Sequence, residues 1–284
     1  MKTRKLLLTG LCALVLGTTS CSKKTLTTLK TEGVLVVGME CAYAPFNWTE
    51  PTASETNVVI ENIPDAYAEG YDVQVARIIA EELDLELKIK ALDFSALINN
   101  LDAGEIDLII AGMSPTAERM KKIDFTNKYY ESTHVMLVKA DSKYANSTSL
   151  DDFAGAKVIG QTGTIYADLV PQTVEHGAVA GTNLDTVPAI VNAIKEGAVD
   201  ATILEEPVAK GIMRQQPGLT YVTFEEGKGF VVSDDDKIVS IGVRKGFELT
   251  DEINDILDTI LTENKRVELM EQATLMAPVQ EDGE

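Results

Sequence analysis

Positive charge is scarce in this chain: 25 Lys and Arg stand against 45 Asp and Glu, a formal net charge of −20. Phosphate binding needs a basic face, so nucleic acid is excluded as a partner. Cysteine is rarer still, with Cys12, Cys21 and Cys41 in 284 residues; so few, so placed, build no disulfide framework. The two histidines, His134 in an apolar strand and His176 in a loop, stand too far apart to make a metal site. No G-x-x-x-x-G-K-S/T occurs, so P-loop ATP hydrolysis is not done here. After residue 20 no apolar run is long enough for a spanning helix. No cofactor is expected.

What remains is ordinary globular composition, 45% hydrophobic and 25% charged, in a length that suits one large domain or two of usual size. The first 20 residues have the order of a secretory signal: Lys2, Arg4 and Lys5, then apolar Leu6 to Gly17, then small Thr18, Thr19 and Ser20 before Cys21. A small-residue triplet ending in Cys resembles a bacterial lipobox, which implies lipidation of Cys21 as the mature N-terminus. The match is partial, since Thr18 stands where Leu is usual, and ordinary secretion with Cys21 as a bystander is the other reading. Polar Ser22 to Thr28 suits a tether, so residues 21–32 are assigned to one. Losing residues 1–20 removes three positive charges and no acids, taking the formal charge to −23. Such a surface keeps a protein soluble and is compatible with drawing in cationic solutes.

From Gly33 short β-rich runs alternate with amphipathic helices. Val34 to Gly38 reads as a strand, Val73 to Leu83 as a helix, Leu87 to Leu92 as a strand, Ser95 to Asp102 as a helix and Ile106 to Ala111 as a strand. A second series follows the polar stretch Asp141 to Ser149: strand Lys157 to Gly160, helices Tyr166 to Glu175 and Val187 to Glu196, and strand Val199 to Leu204. Ile238 to Val243 is again strand, followed by helices at Asp251 to Glu263 and Val267 to Thr274. INNLDAGEIDLII (98–110) and VNAIKEGAVDATI (191–203) align without a gap, pairing Asn99 with Asn192, Gly104 with Gly197 and Asp107 with Asp200. Each reads as a helix ending at a left-handed Gly cap before a buried strand. Both halves are therefore built from the same kind of unit. The expected architecture is two α/β lobes, each a mostly parallel sheet flanked by helices, with crossings at His134 to Val138 and Ile238 to Val243. Ligands of such sheets bind beyond the carboxyl ends of the strands, in the cleft.

Four stretches carry chemistry. GMECAYAPFNW (38–48) follows the first strand and places Glu40, Tyr43, Phe46 and Trp48 together, an acid beside aromatics that suits a cation; Phe46 fits a lobe core equally, and Trp48 less well. AGMSPTAERMKKIDFTNKYY (111–130) puts Gly112 and Ser114 before a helix that carries Arg119. Free N–H groups, a hydroxyl and a guanidinium form a carboxylate receptor; a surface ion pair of Arg119 with Glu118 or Asp124 fits the spacing as well. GQTGTIYADL (160–169) offers a second helix N-terminus, and VDATILEEPVAK (199–210) places Glu205 at a strand's carboxyl end, where it can pair with an ammonium or, like Glu206, stand in solvent.

Taken in order, VGMECAYAPF, EGYDVQVA (69–76), AGMSPTAER and ILEEPVAK resemble the polar amino-acid-binding proteins of ABC importers, solute-binding protein family 3, from about Gly33 to the final helix. The resemblance implies a two-lobed type II periplasmic-binding-protein fold joined by two hinge strands. Residues 33–138 and 234–284 then form one lobe, and 139–233 the other. It implies that Arg119 clamps the ligand α-carboxylate with Ser114 and N–H groups near Thr164 and Ile165, and that Glu205 and the Gly112 carbonyl take the ammonium. Tyr43 and Tyr71 would sandwich the side chain, with Glu40 and Gln161 at its far end and Trp48 favouring a long stem. Two departures stand out: family members commonly have Asp where Glu205 stands, which shifts the contact by one methylene, and Thr49 to Gly70 looks longer than in simpler members and adds a hairpin or a cover to the cleft.

The function implied is capture of a polar, cationic L-amino acid, arginine or lysine, by a secreted monomer that is lipid-anchored to the outer face of the bacterial cell membrane, closes on its ligand and delivers it to ABC permease subunits. Competing readings are a secreted cyclohexadienyl-dehydratase-like enzyme on the same fold, a binder of a neutral amino acid such as glutamine, and a sensory binding domain. Cys41 lacks an evident His partner, which argues against nucleophilic catalysis.

Overall fold

A computed structural model of the chain describes residues 26–278; the expected signal segment 1–20, the expected lipidation at Cys21 and the start of the expected tether lie outside the described residues. Two five-stranded sheets carry the architecture. In the first, Glu86–Ala91, Val34–Met39 and Leu108–Ile109 run parallel, then Ile238–Val243 turns antiparallel and Asp124–Glu131 forms the far edge. The second repeats order and direction with Val179–Ala180, Lys157–Ile159, Ala201–Glu205, His134–Lys139 and Leu219–Val222. Four of the five strands in each sheet thus point one way, as βαβ crossovers require.

The aligned segments fold alike at atomic detail. Helix Leu97–Ala103 is capped by Gly104 at φ 76°, and helix Val187–Glu196 by Gly197 at φ 76°, a conformation that costs a side-chain-bearing residue energy. Beyond each cap the Asp secures the next strand. Asp107 Oδ2 accepts from Val36 N at 3.0 Å, and Asp200 Oδ2 from Lys157 N at 2.8 Å.

The chain passes between sheets at Ser132 and Thr133 and again over residues 223–237. The sequence reading put His134 to Val138 in the first lobe; instead His134–Lys139 lies between two strands of the second sheet. A run apolar on both faces states that a strand is buried but not in which sheet. The tether also ends sooner than expected. Leu26–Glu32 is helical, and Leu29 is wholly buried in the first sheet's core.

Residues 42–69 add a four-stranded antiparallel sheet of Ala42–Tyr43, Asn47–Glu50, Tyr67–Glu69 and Val58–Val59. Its core is continuous with the first sheet and runs on to Val187, Val191, Val208 and Ile212 of the second unit. A separate cluster, including Met136, Phe153, Val158 and Tyr166, fills the other face of the second sheet. No helix among the described residues is long and apolar enough to cross a membrane.

Candidate functional site

The carboxyl ends of the two sheets face one another across a cavity lined by Glu40, Tyr43, Phe94, Gly112, Ser114 and Arg119 on one side and Gln161, Thr164, Ile165 and Tyr166 on the other. Its volume is about 10 Å³, room for about one water. Phe94, Arg119 and Ile165 also line an outer hollow of about 280 Å³. An amino acid fits only if the two sides part.

The loop after Val34–Met39 is fastened from behind. Helix Tyr71–Glu82 donates its first free amides, Tyr71 N and Asp72 N, to the carbonyls of Pro45 and Phe46 at 3.0 and 2.8 Å. That fixes Tyr43, whose ring stacks on wholly buried Phe46 at 5.5 Å between centroids. Gly112, at φ 60°, passes close to the same ring, and a Cβ there would stand 3.1 Å from Tyr43 Cε1.

Arg119 sits in the short helix Ala117–Met120, whose N-cap is Thr116. Its guanidinium donates to the Ser114 carbonyl at 2.8 Å and, across the gap, to the Gly163 carbonyl at 3.2 Å, and lies 5.2 Å from the Phe94 ring centroid. The surface ion pair considered from spacing does not form: Glu118 pairs with Lys121, and Asp124 with Lys245. Thr164 caps helix Ile165–Glu175, its hydroxyl accepting from Tyr166 N.

Two acids face this arginine's surroundings. Glu205, 3% exposed at the end of Ala201–Glu205, accepts from Tyr43 Oη at 2.5 Å; burial pushes it up to about 7, against hydrogen bonds from Tyr43 and Tyr166. Glu40 holds the Gln161 amide through both oxygens, at 2.9 and 3.0 Å, while Gln161 also donates to the Asp185 carbonyl. Burial and the nearby Asp93 carboxylate raise Glu40 to about 7, opposed by the Gln161 bond. Glu206 instead turns to Lys210 at 2.9 Å. Burial lowers His134 to about 4, so it is neutral beside Tyr166.

The structure therefore brings together Glu40, Tyr43, Gly112, Ser114, Arg119, Gln161, Thr164 and Ile165, with Glu205 behind Tyr43. It does not bring Tyr71 or Trp48 to the cavity. Tyr71 is wholly buried, stacked on Tyr129 and donating to the Tyr129 carbonyl, because the first turn of its helix faces the sheet. Trp48 turns to the opposite face of the small sheet, where its indole donates to Glu50 Oε1 at 2.6 Å. Sequence reasoning missed Phe94 and Tyr166. Phe94 lies just beyond the carboxyl end of Glu86–Ala91, the position where ligands of such sheets bind, and that signal was there to be used.

Two α/β units closing opposed charges over a cleft define a two-lobed ligand-binding protein. The chain belongs to the bacterial extracellular solute-binding proteins, family 3, whose model matches residues 35–274. The arginine-binding extracellular protein ArtP of Bacillus subtilis is 29% identical over 260 residues, 90% of this chain and 92% of ArtP. A probable histidine-binding protein of Campylobacter jejuni is 30% identical over 69% of this chain and 70% of its own. Among solved structures, the amino acid ABC transporter substrate-binding protein AbpA of Streptococcus pneumoniae, bound to L-arginine, superposes with a TM-score of 0.74 at 26% identity, covering 90% of this chain and all of AbpA. ArtP is thus an extracellular arginine-binding protein and AbpA the substrate-binding protein of an amino acid ABC transporter, and AbpA shares the two-lobed α/β fold described here.

Proposed function

We propose that the chain captures a free L-amino acid with a cationic side chain, arginine foremost and lysine next, and presents it to the permease subunits of an ABC importer. The observation that carries this is the set of charges at one cavity: the Arg119 guanidinium and the Glu40 carboxyl in its lining, and the Glu205 carboxyl just behind Tyr43. When both acids are ionised the set sums to −1. L-arginine contributes two positive charges and one negative, so its bound complex is neutral. A glutamine leaves one negative charge buried without a partner, which is costly.

In this reading Arg119, Ser114 and the amides at Thr164 and Ile165 take the α-carboxylate, and Glu205 and the Gly112 carbonyl the ammonium. Tyr43 and Phe94 flank the stem, and Glu40 with Gln161 receives the guanidinium. The contacts that now bridge the two sides, Arg119 to Gly163, Glu40 to Gln161 and Tyr43 to Glu205, are the ones a ligand replaces. Opening and closing run about the crossings at 132–133 and 223–237, and the importer reads the closed form. Lobe 1 thus comprises 26–131 and 238–278, and lobe 2 comprises 134–222. The protein acts as a monomer, without catalysis, held to the outer face of the membrane by a lipid on Cys21.

Calorimetric titration with each common L-amino acid tests the reading. L-arginine is expected to bind most tightly, with lysine next and glutamine at least tenfold weaker. Equal affinity for arginine and glutamine overturns the specificity, and no binding of any amino acid overturns the function. Turnover of prephenate would favour the dehydratase alternative. Mass spectrometry of the mature N-terminus tests the Cys21 anchor.

A further inference from the structure

Behind the cavity, in the first unit, a buried carboxylate ties together two stretches of backbone that border it. Asp72 is wholly buried at the start of helix Tyr71–Glu82. Its Oδ2 accepts from Asn47 Nδ2 at 2.7 Å and its Oδ1 from Tyr129 Oη at 2.7 Å. Both partners are wholly buried and each passes the connection on: Asn47 Oδ1 accepts from Cys41 N at 2.7 Å, and Tyr129 Oη accepts from Gly112 N at 3.2 Å.

The directions of these bonds determine one another. Two backbone amides can only donate, so Asn47 must present its oxygen to Cys41 and Tyr129 its lone pair to Gly112. That leaves Nδ2 and the phenolic hydrogen aimed at position 72, where only an acceptor with two free oxygens satisfies both. Burial raises Asp72 to about 6, held there by the bonds from Tyr129 and Asn47, so it is ionised and acceptor-only at neutral pH.

The two amides at the ends belong to residues in the left-handed region, Cys41 at φ 57° and Gly112 at φ 60°. For Cys41 this is a strained conformation that persists only where neighbouring contacts hold it. Cys41 follows Glu40 directly, so the bond from Cys41 N to Asn47 anchors the peptide that joins the two. Gly112 lies against the Tyr43 ring and lines the same side of the cavity.

We propose that Asp72 is the positioning residue of the ligand site: without touching ligand, it fixes the Glu40 turn through Asn47 and the Gly112 strand end through Tyr129, so that both are in place before ligand arrives. This inference rests on the amino-acid-binding reading above. Tyr129 also stands in Asp124–Glu131, the strand that leads into the crossing at Ser132, so the same carboxylate anchors the site to the start of the hinge.

The test is titration of L-arginine into the wild-type chain, into Asp72→Asn, and into the exchanged pair Asn47→Asp with Asp72→Asn, alongside thermal unfolding of each. The single substitution places an amide N–H₂ against a donor, and arginine affinity is expected to fall about tenfold or more. In the exchanged pair the amide now at 72 donates to the carboxylate at 47 and still accepts from Tyr129, while the carboxylate accepts from Cys41 N. Affinity is expected to return to within about threefold of wild type. Should Asp72→Asn fail to fold, Tyr129→Phe removes the hydroxyl link between Asp72 and Gly112 while leaving the Asn47 arm, and is expected to weaken arginine several-fold. Wild-type affinity in Asp72→Asn, or in Tyr129→Phe where that variant stands in, overturns the inference. So does an exchanged pair that recovers its melting temperature but not its affinity. A wild-type chain that binds no amino acid overturns the functional reading and the inference with it, an outcome separate from those in which only the variants disagree.

Discussion

The Tyr43 hydroxyl donates to Glu205 across the gap between the two α/β units at 2.5 Å, joining the first sheet's strand-end loop to the last residue of a second-sheet strand. One carboxylate thereby senses whether the two units are together. Tyr43→Phe keeps the ring and its stacking on Phe46 but removes the donor. A buried carboxylate that loses a charge-assisted bond costs about 1–3 kcal/mol. The variant is expected to unfold at lower temperature and, because the ligand replaces this bond, to bind L-arginine at least as tightly as wild type, read by calorimetry.

Acidity should act on the ligand-free and the ligand-bound protein in opposite senses. Glu40 and Glu205 are both raised by burial from 4.5 to about 7, so between those values the folded chain holds protons that the unfolded chain has released. Stability of the ligand-free protein should fall as pH rises through that window and level off above it. A cationic ligand needs both carboxylates ionised, so affinity for L-arginine is expected to rise from pH 5 to pH 8. Binding near neutrality should release protons, measurable as a buffer-dependent heat. Affinity that falls over this range contradicts the assignment.

Gly112→Ala tests how closely the first unit is fitted around Tyr43. The left-handed backbone disfavours any side chain by about 1–2 kcal/mol, and the new Cβ would press on the ring at 3.1 Å. A lower melting temperature together with weaker arginine binding is expected. A loss of stability with affinity unchanged would show that the Gly112 stretch does not border the ligand.

Glu40→Gln removes one of the two negative charges while leaving a hydrogen-bonding partner for Gln161. Arginine and lysine should lose affinity by about tenfold or more, and glutamine should lose little or gain. Parallel titrations of the three ligands into the variant report the difference directly.

Much of the scaffold was legible because its signals are local. Gly104 and Gly197 end helices by the same left-handed cap, and helix Val187–Glu196 has the bounds its periodicity and flanking Thr186 and Gly197 imply. The Asp107 and Asp200 pairing could be aligned from sequence, but the strand amide each one holds becomes visible only with both strands in place. What sequence could not resolve was which way an aromatic faces. Tyr71 and Phe94 both flank helix starts near strand ends; one is driven into the core by the register of its helix, and the other borders the cavity. The sheet membership of His134–Lys139 escaped for a related reason, since its neighbours on either side, Ala201–Glu205 and Leu219–Val222, come from much later in the chain. The extended segment 49–70 proved to supply two strands of a third sheet, Val58–Val59 and Tyr67–Glu69, whose two- and three-residue lengths leave almost no periodicity to read.

The central claim is that Arg119 binds an α-carboxylate inside the cleft, and the most direct measurement is a paired calorimetric titration of L-arginine and agmatine, its analogue without that carboxylate, into wild type and Arg119→Ala. Wild type should prefer L-arginine by about a hundredfold or more, in line with a charge-assisted bidentate contact, and Arg119→Ala should erase most of that preference while binding agmatine at least as well as wild type does. A preference for L-arginine that survives intact in Arg119→Ala would contradict the account.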